Sequence, residues 1–265
     1  MAWPMATPST CPSCPEEDAV LMRLVQLTDC HLQADPAARA RTGTPLRQLE
    51  AVIAAVNRER PALVLVTGDV SDDETAASYR LAEQALSRLE APWYWLPGNH
   101  DQPTLMAECR ALHKELDLGH WRALLLDTHV SGRLGGALGE AALSALDERL
   151  AADRRPTLLA MHHPPLPVGS AWLDAIGLAD GEAFWRVVAP HRQVRAVLFG
   201  HVHQAFHGAH ALGDGEVPAY GCPATSDQFL PGASSFALDE ASCPGYRLIE
   251  LRDGAFKTWV ERIEA

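Results

Sequence analysis

Five short motifs in this chain carry side chains that bind metal ions: Asp29-Cys30-His31, Gly68-Asp69, Gly98-Asn99-His100-Asp101, His162-His163 and Gly200-His201-Val202-His203. Carboxylate, imidazole and amide oxygen together suit borderline divalent ions, without a strong choice among iron, manganese, zinc and cobalt. Singly, the motifs say little. Asp-x-His recurs at Asp127-Thr128-His129, and Gly-Asp recurs at Gly213-Asp214. Gly-His-x-His is rarer, with about 0.04 chance matches expected at this Gly and His content. Gly-Asn-His is rarer still, at about 0.006, because Asn57 and Asn99 are the only asparagines. Together and in order, they describe a metal centre able to attract an anionic substrate.

Each motif follows a short apolar run. The runs are Leu21–Leu27, Ala62–Val66, Trp93–Leu96, Thr157–Met161 and Ala196–Phe199, with a sixth at Ala123–Leu126. Bounded by polar or Gly/Pro residues, they read as buried strands. Amphipathic stretches at Pro45–Arg58, Glu74–Leu89, Thr104–Leu116, Glu140–Ala152 and Gly181–Val188 read as helices. The first opens on Thr44-Pro45, and proline in a first turn forfeits no hydrogen bond. Such alternation means an α/β domain, whose ligands sit beyond the carboxyl ends of its strands. The five motifs should therefore converge. After Ala205 the helical patterns stop, and Glu216–Ala219, Tyr246–Leu251 and Ala255–Val260 read as β segments around a Gly/Pro/Ser loop from Gly221 to Gly245. Residues 1–18 read as a disordered tail, leaving residues 19–265 as one domain.

With 47% hydrophobic and 21% charged residues, the chain has the balance of a soluble globular protein. No apolar run approaches the ~18 residues of a membrane span. The first twenty residues lack the basic start and apolar stretch of a secretory signal. Acidic residues number 34 against 22 basic ones, for a net charge of -12, and no basic stripe offers itself to nucleic acid. Six cysteines are too scattered for a disulfide framework, and the Cys11/Cys14 pair lies in the tail without a second pair. The expectation is a cytoplasmic protein, monomer or homodimer, that binds neither nucleic acid nor membrane.

The series from Asp29-x-His31 to Gly200-His201-x-His203 resembles the signature of the calcineurin-like metallophosphoesterases, over about residues 20–203. The opening Asp-x-His, and Asp101 after the Asn-His pair, resemble the class III cyclic nucleotide phosphodiesterase branch. Ala171-Trp172-Leu173-Asp174 and Pro244-Gly245-Tyr246-Arg247 are similar to stretches of bacterial cyclic AMP phosphodiesterases. The resemblance implies a four-layer α/β/β/α sandwich, two mixed sheets flanked by helices. It implies that Asp29, His31 and His203 hold one metal ion, that Asn99, His162 and His201 hold another, and that Asp69 bridges the two. Iron and manganese are the expected ions, with zinc or cobalt as alternatives. Such a pair lowers the pKa of a water toward ~7, giving hydroxide for in-line attack on phosphorus. His100 would bind the phosphate and protonate the leaving oxygen, oriented by Asp101. His31, Asn99 and His203 would face the substrate beside it.

The implied reaction is hydrolysis of 3′,5′-cyclic AMP to 5′-AMP. A broader phosphodiesterase, such as a glycerophosphodiesterase, would share every ligand and differ in the loops Val168–Leu178 and Gly221–Gly245. A purple acid phosphatase would need a tyrosine after Asp69, where Val70-Ser71-Asp72 has none. A non-catalytic scaffold of this fold should have lost ligands, whereas here each is kept. Plainer roles compete at several positions. Asp29, Asp69 and Asn99 also suit turns, and His163 stands as the alternative to His162. Asp127 and His129 fit a structural strand end, and His207 and His210 fit surface or strand positions. Cys30, Trp93 and Trp95 fit the core.

Overall fold

The computed structural model describes residues 22–213 and 215–264. The expected tail over residues 1–18, with Cys11 and Cys14, lies outside the described residues, as does Leu21.

The apolar runs form strands of two sheets. In the first, β1 (Met22–Leu27), β2 (Leu63–Thr67) and β3 (Trp93–Leu96) pair in parallel. In the second, β4 (Glu115–Leu118) pairs antiparallel with β5 (Trp121–Leu125), which leads through parallel pairings to β6 (Thr157–Met161) and β7 (Val194–Phe199). The hairpin of β8 (Phe206–Leu212) and β9 (Gly215–Gly221) joins through a parallel β7–β9 pairing, so the order is β4-β5-β6-β7-β9-β8. Finally β10 (Gly245–Leu251) pairs antiparallel with β1, and β11 (Phe256–Arg262) antiparallel with β10, completing the order β11-β10-β1-β2-β3.

The central strands are apolar along their whole length because their alternate residues serve two cores. Leu24, Leu65, Leu158, Ala160, Ala196 and Leu198 meet between the sheets. Val25, Leu27, Val64 and Val66 face outward to a core shared with helices α1 (Pro45–Glu59), α2 (Ala76–Leu86) and α3 (Pro103–Cys109). Leu159, Met161, Val197 and Phe199 face the opposite way, toward α4 (Gly139–Ala152), the short α5 (Ala171–Asp174) and α6 (Gly181–Val188). Three cores between four layers make the α/β/β/α sandwich.

Three local expectations change. The helix expected over Thr104–Leu116 stops at Cys109, and Glu115–Leu118 is a strand. Leu112 and Leu116 mimic helical spacing, but Leu116 and Leu118 alternate with exposed Glu115 and Asp117. Gly119 (φ 72°) then turns the chain back onto β5. The helix expected from Glu74 begins at Ala76, where Thr75 caps it by accepting the Ser78 N–H. Strand β8 has little strand signal of its own, because its Gly and Ala residues have low β-propensity; its pairing with β9 sets its conformation.

Candidate metal centre

The turns after β1, β2, β3, β6 and β7 meet at one edge of the sandwich, so both sheets contribute. Asp29, His31, Asp69, His201 and His203 all have φ between 47° and 66°. This left-handed region costs a residue with a Cβ about 1–2 kcal/mol, and strain of that kind gathers at functional sites. The turns are locked to one another. Asp29 N–H donates to the Gly68 carbonyl and His31 N–H to the Asp69 carbonyl, both at 3.0 Å. The Asp29 carboxylate in turn accepts the His201 N–H at 3.0 Å, across the two sheets. Glycine is required where they touch: a Cβ on Gly98 would stand 2.5 Å from the Asp69 amide nitrogen, and one on Gly200 would strike the Thr28 hydroxyl.

Two donor groups result. In the first, His203 Nε2 lies 3.2 Å from Asp29 Oδ1 and 3.2 Å from His31 Nε2. In the second, Asn99 Oδ1 lies 3.1 Å from His162 Nε2 and 2.9 Å from His201 Nδ1. Asp69 Oδ2 stands between them, 3.7 Å from His31 Nε2 and 3.3 Å from His162 Nε2. Outer partners fix the rings. His162 Nδ1 is 2.8 Å from the Thr67 carbonyl, and His203 Nδ1 is 2.6 Å from that of Asp227. A carbonyl only accepts, so each Nδ1 carries a proton and each Nε2 is the atom turned toward the cluster.

The electrostatics follow from this crowding. Burial pushes His31 down, but its hydrogen bond to Asp72 and the charges of Asp69 and Asp29 hold it up at about 9. Burial also opposes the charge on His162, yet Asp69 holds it at about 9. Asp69 is correspondingly held well below the usual carboxylate range by His162 and His31, against its own burial. Asp29 is lowered by His203 in the same way. Burial and the neighbouring imidazoles push His163 down to about 3 and His201 well below its ordinary value.

Other candidates take different places. The His163 ring is engaged on both sides, 2.8 Å from Thr128 Oγ1 and 3.1 Å from the Leu134 carbonyl. Asp101 lies among the turns, with no hydrogen bond to the His100 ring among the described residues. Its buried carboxylate accepts from the amides of Gly98, Val70 and Ser71 and from the Tyr79 hydroxyl, binding the β2 and β3 turns together. A carboxylate besides Asp69 near the His100 ring is Asp72, grouped with His31 and His100 within 4.8 Å. Its signal in the sequence was slight, an acidic residue three positions after Asp69. His129 pins the Asn99 turn, its Nδ1 lying 2.9 Å from the Gly98 carbonyl. His207 stacks on Tyr220 and His210 on Trp185, both in β8. Cys30, Trp93 and Trp95 are buried in the outer core of the first sheet.

A cavity of about 600 Å³ opens over the donors, lined by His31, Asp69, Asn99, His100, His201 and His203 and extending to Trp172, Phe229 and Phe236. The aromatic residues lie in the loops Val168–Leu178 and Gly221–Gly245, Trp172 within the Ala171-Trp172-Leu173-Asp174 stretch and Phe229 and Phe236 in no motif of their own.

The sequence profile of the calcineurin-like phosphoesterases matches residues 22–205, and the chain belongs to that family of metal-dependent hydrolases. The family uses a dinuclear metal site, for which this His/Asp cluster is the available donor set. Over 258 residues the chain is 38% identical to the 3′,5′-cyclic adenosine monophosphate phosphodiesterase CpdA of Pseudomonas aeruginosa, spanning 94% of this chain and 93% of that protein. It is 36% identical to a 3′,5′-cyclic-nucleotide phosphodiesterase of Nostoc sp., across 91% and 92% of the two chains. Against CpdA of Escherichia coli the identity is 34%, across 91% and 90%. A dimetal phosphatase from Danio rerio shares the fold, with a TM-score of 0.66 at 15% identity, covering 93% of this chain and 100% of that one. No helix among the described residues is long and apolar enough to cross a membrane.

Proposed function

We propose that the protein hydrolyses 3′,5′-cyclic AMP to 5′-AMP at this centre, with residues 19–265 as one catalytic domain. The donors suit two metal ions. The Nε2 atoms of His162 and His203 face carboxylate and amide oxygens, and groups so gathered need a proton or a metal ion among them. Asp29, His31 and His203 would hold one ion and Asn99, His162 and His201 the other, with Asp69 shared; iron or manganese is our assignment. When bound, such a pair supplies a hydroxide nucleophile at neutral pH and offsets charge on the phosphoryl oxygens.

The chain's own residues bind and move protons. His100 lines the cavity, its N–H anchored on Asp69 Oδ1 at 2.9 Å and its ring edge-on to His31. In this reading it hydrogen-bonds the phosphate, and it protonates the 3′ oxygen as the ester opens. Asp72 takes the orienting role first expected of Asp101. His31 and His203 face the phosphate from the other side. Asn99 adds an oxygen donor without a charge that would repel the substrate. The substrate is a small molecule, in keeping with the net charge of -12, and Cys30, Cys109, Cys222 and Cys243 are free, in keeping with a cytoplasmic enzyme, monomer or homodimer.

The observation that carries this reading is the position of Asp69 Oδ2 between two imidazole groups on the floor of a nucleotide-sized cavity. The test is product analysis by phosphorus NMR with manganese-loaded protein. Cyclic AMP is expected to give 5′-AMP, and Asn99→Ala to lower the rate by more than about 100-fold. Cleavage of bis(p-nitrophenyl) phosphate with cyclic AMP untouched would refute the substrate. No cleavage of either, with two ions bound, would refute the reaction.

A further inference from the structure

Beside the donors the cavity wall turns aromatic. Trp172 of α5 and Phe229 and Phe236 of the long loop pack edge-to-face in a closed triangle, with ring separations of 5.1, 5.4 and 5.3 Å. The triangle starts at the metal-competent residues, because Phe229 lies flat on the His203 ring at 3.9 Å and 10°. It ends at Phe236, which lines the cavity yet stays 46% exposed. The Arg41 guanidinium sits 4.8 Å from the Phe236 ring centroid. Asp227 ties the two ends together. Its backbone carbonyl receives His203 Nδ1–H at 2.6 Å, and its carboxylate accepts the amides of Arg41 at 3.1 Å and Thr42 at 2.8 Å.

Phosphoryl transfer does not require this wall. A cluster of three aromatic rings lining the wall of a cavity is the kind of surface that binds a ligand. Trp172 Nε1 adds to the picture, being buried with no hydrogen-bond partner among the described residues. Bases stack on aromatic faces and on guanidinium planes, and such stacking tolerates different bases because every base has a π-face. Two ring-to-ring steps, of 3.9 and 5.3 Å, lead from His203 to Phe236. The His203 and Phe236 rings therefore lie no more than about 9 Å apart, close enough for one cyclic nucleotide to touch both.

We propose that Phe236, Arg41 and Trp172 form the nucleoside subsite, where the purine of the substrate stacks on Phe236 and Arg41 while its phosphate lies over the donor groups. The inference rests on the cyclic nucleotide reading above. Asp227 is a positioning residue, holding the base platform in register with His203. The base is gripped by its face, so the subsite contributes to binding rather than to the chemical step.

The test measures kcat and KM on manganese-loaded protein for cyclic AMP and for methyl riboside 3′,5′-cyclic phosphate, which keeps the diester and lacks the base. Phe236→Ala is expected to lower kcat/KM for cyclic AMP by about 5- to 100-fold, nearly all in KM. The base-free diester should lose far less. Arg41→Gln should act in the same direction, and Phe236→Trp should restore binding. Leu230→Ala, exposed on the same loop, should leave both substrates unaffected. Calorimetry should show the binding of AMP weakened by Phe236→Ala, with that of ribose 5-phosphate unaltered. If Phe236→Ala and Arg41→Gln lower both substrates equally, or neither, the subsite is refuted while the phosphodiesterase reading stands. Wild-type protein that leaves cyclic AMP intact refutes the underlying reading, and the subsite with it.

Discussion

An imidazole with a carbonyl at one nitrogen has its proton placed for it, and His162 and His203 both use this device to aim Nε2 inward. Asp72 does related work for His31, lying 3.4 Å from its Nδ1. Asp72→Asn is therefore expected to reduce metal affinity or activity by about 10- to 100-fold, read by metal analysis beside kcat. A pH dependence follows at the same scale. His31 and His162, held at about 9, carry protons at pH 7 in the metal-free protein. Metal ions must displace them, so apparent affinity should climb about tenfold per pH unit for each proton and level off above about 9. Calorimetry in two buffers of different protonation enthalpy counts the protons released. For stability, raised imidazoles support the metal-free fold fully below their ordinary 6.5 and lose that support as pH rises through about 9. Depressed Asp29 and Asp69 lend support above their ordinary 3.8, which is lost as pH falls. Metal-free protein should thus show a falling Tm from pH 6.5 to 9 by calorimetry.

At the scale of elements, the turns after strands carry the function and the glycines in them have distinct reasons. Gly119 has φ 72° with open space around it, whereas at Gly98 a Cβ would collide with Asp69. Gly119→Ala is expected to cost about 1–2 kcal/mol of backbone strain, with kcat unchanged. Gly98→Ala is expected to cost a similar 1–3 kcal/mol through overpacking, but also to displace Asp69 and so lower metal content. Urea denaturation and metal analysis, run together on both variants, separate strain from damage to the centre.

The whole molecule is two sheets sharing one core, and the centre exists only while they stay in register. Gln26 is fully buried between them. Its amide donates to Thr67 Oγ1 at 2.9 Å within its own sheet and to the Phe199 carbonyl at 3.0 Å in the other. Thr67 and Phe199 end the strands that lead to Asp69 and His201. Gln26→Leu leaves the Phe199 carbonyl without this donor and is expected to cost about 1–3 kcal/mol. Its effect on metal binding should exceed that of a core substitution of equal cost placed under α4, such as Leu150→Ala adjusted for stability. Chemical denaturation and metal titration of the two variants check this.

The sequence by itself determined the strands that carry the motifs, because residues buried on both faces must be apolar throughout and are bounded by the turns they feed. It also supplied the donor residues and the order in which they arrive, since the chemistry demands side-chain types too rare here to recur together by chance. Tertiary structure decided the rest. Glu115–Leu118 became a strand because β5 was there to pair with it, and β8 because of β9. Asp72 rather than Asp101 came to stand beside His100, since the Asp101 carboxylate went to the amides of the turns around it. Nothing local links Arg41, Trp172 and Phe236, which meet only because distant loops close over the same cavity. Periodicity reports what a residue is buried against, whereas contact between loops depends on where both sheets place them.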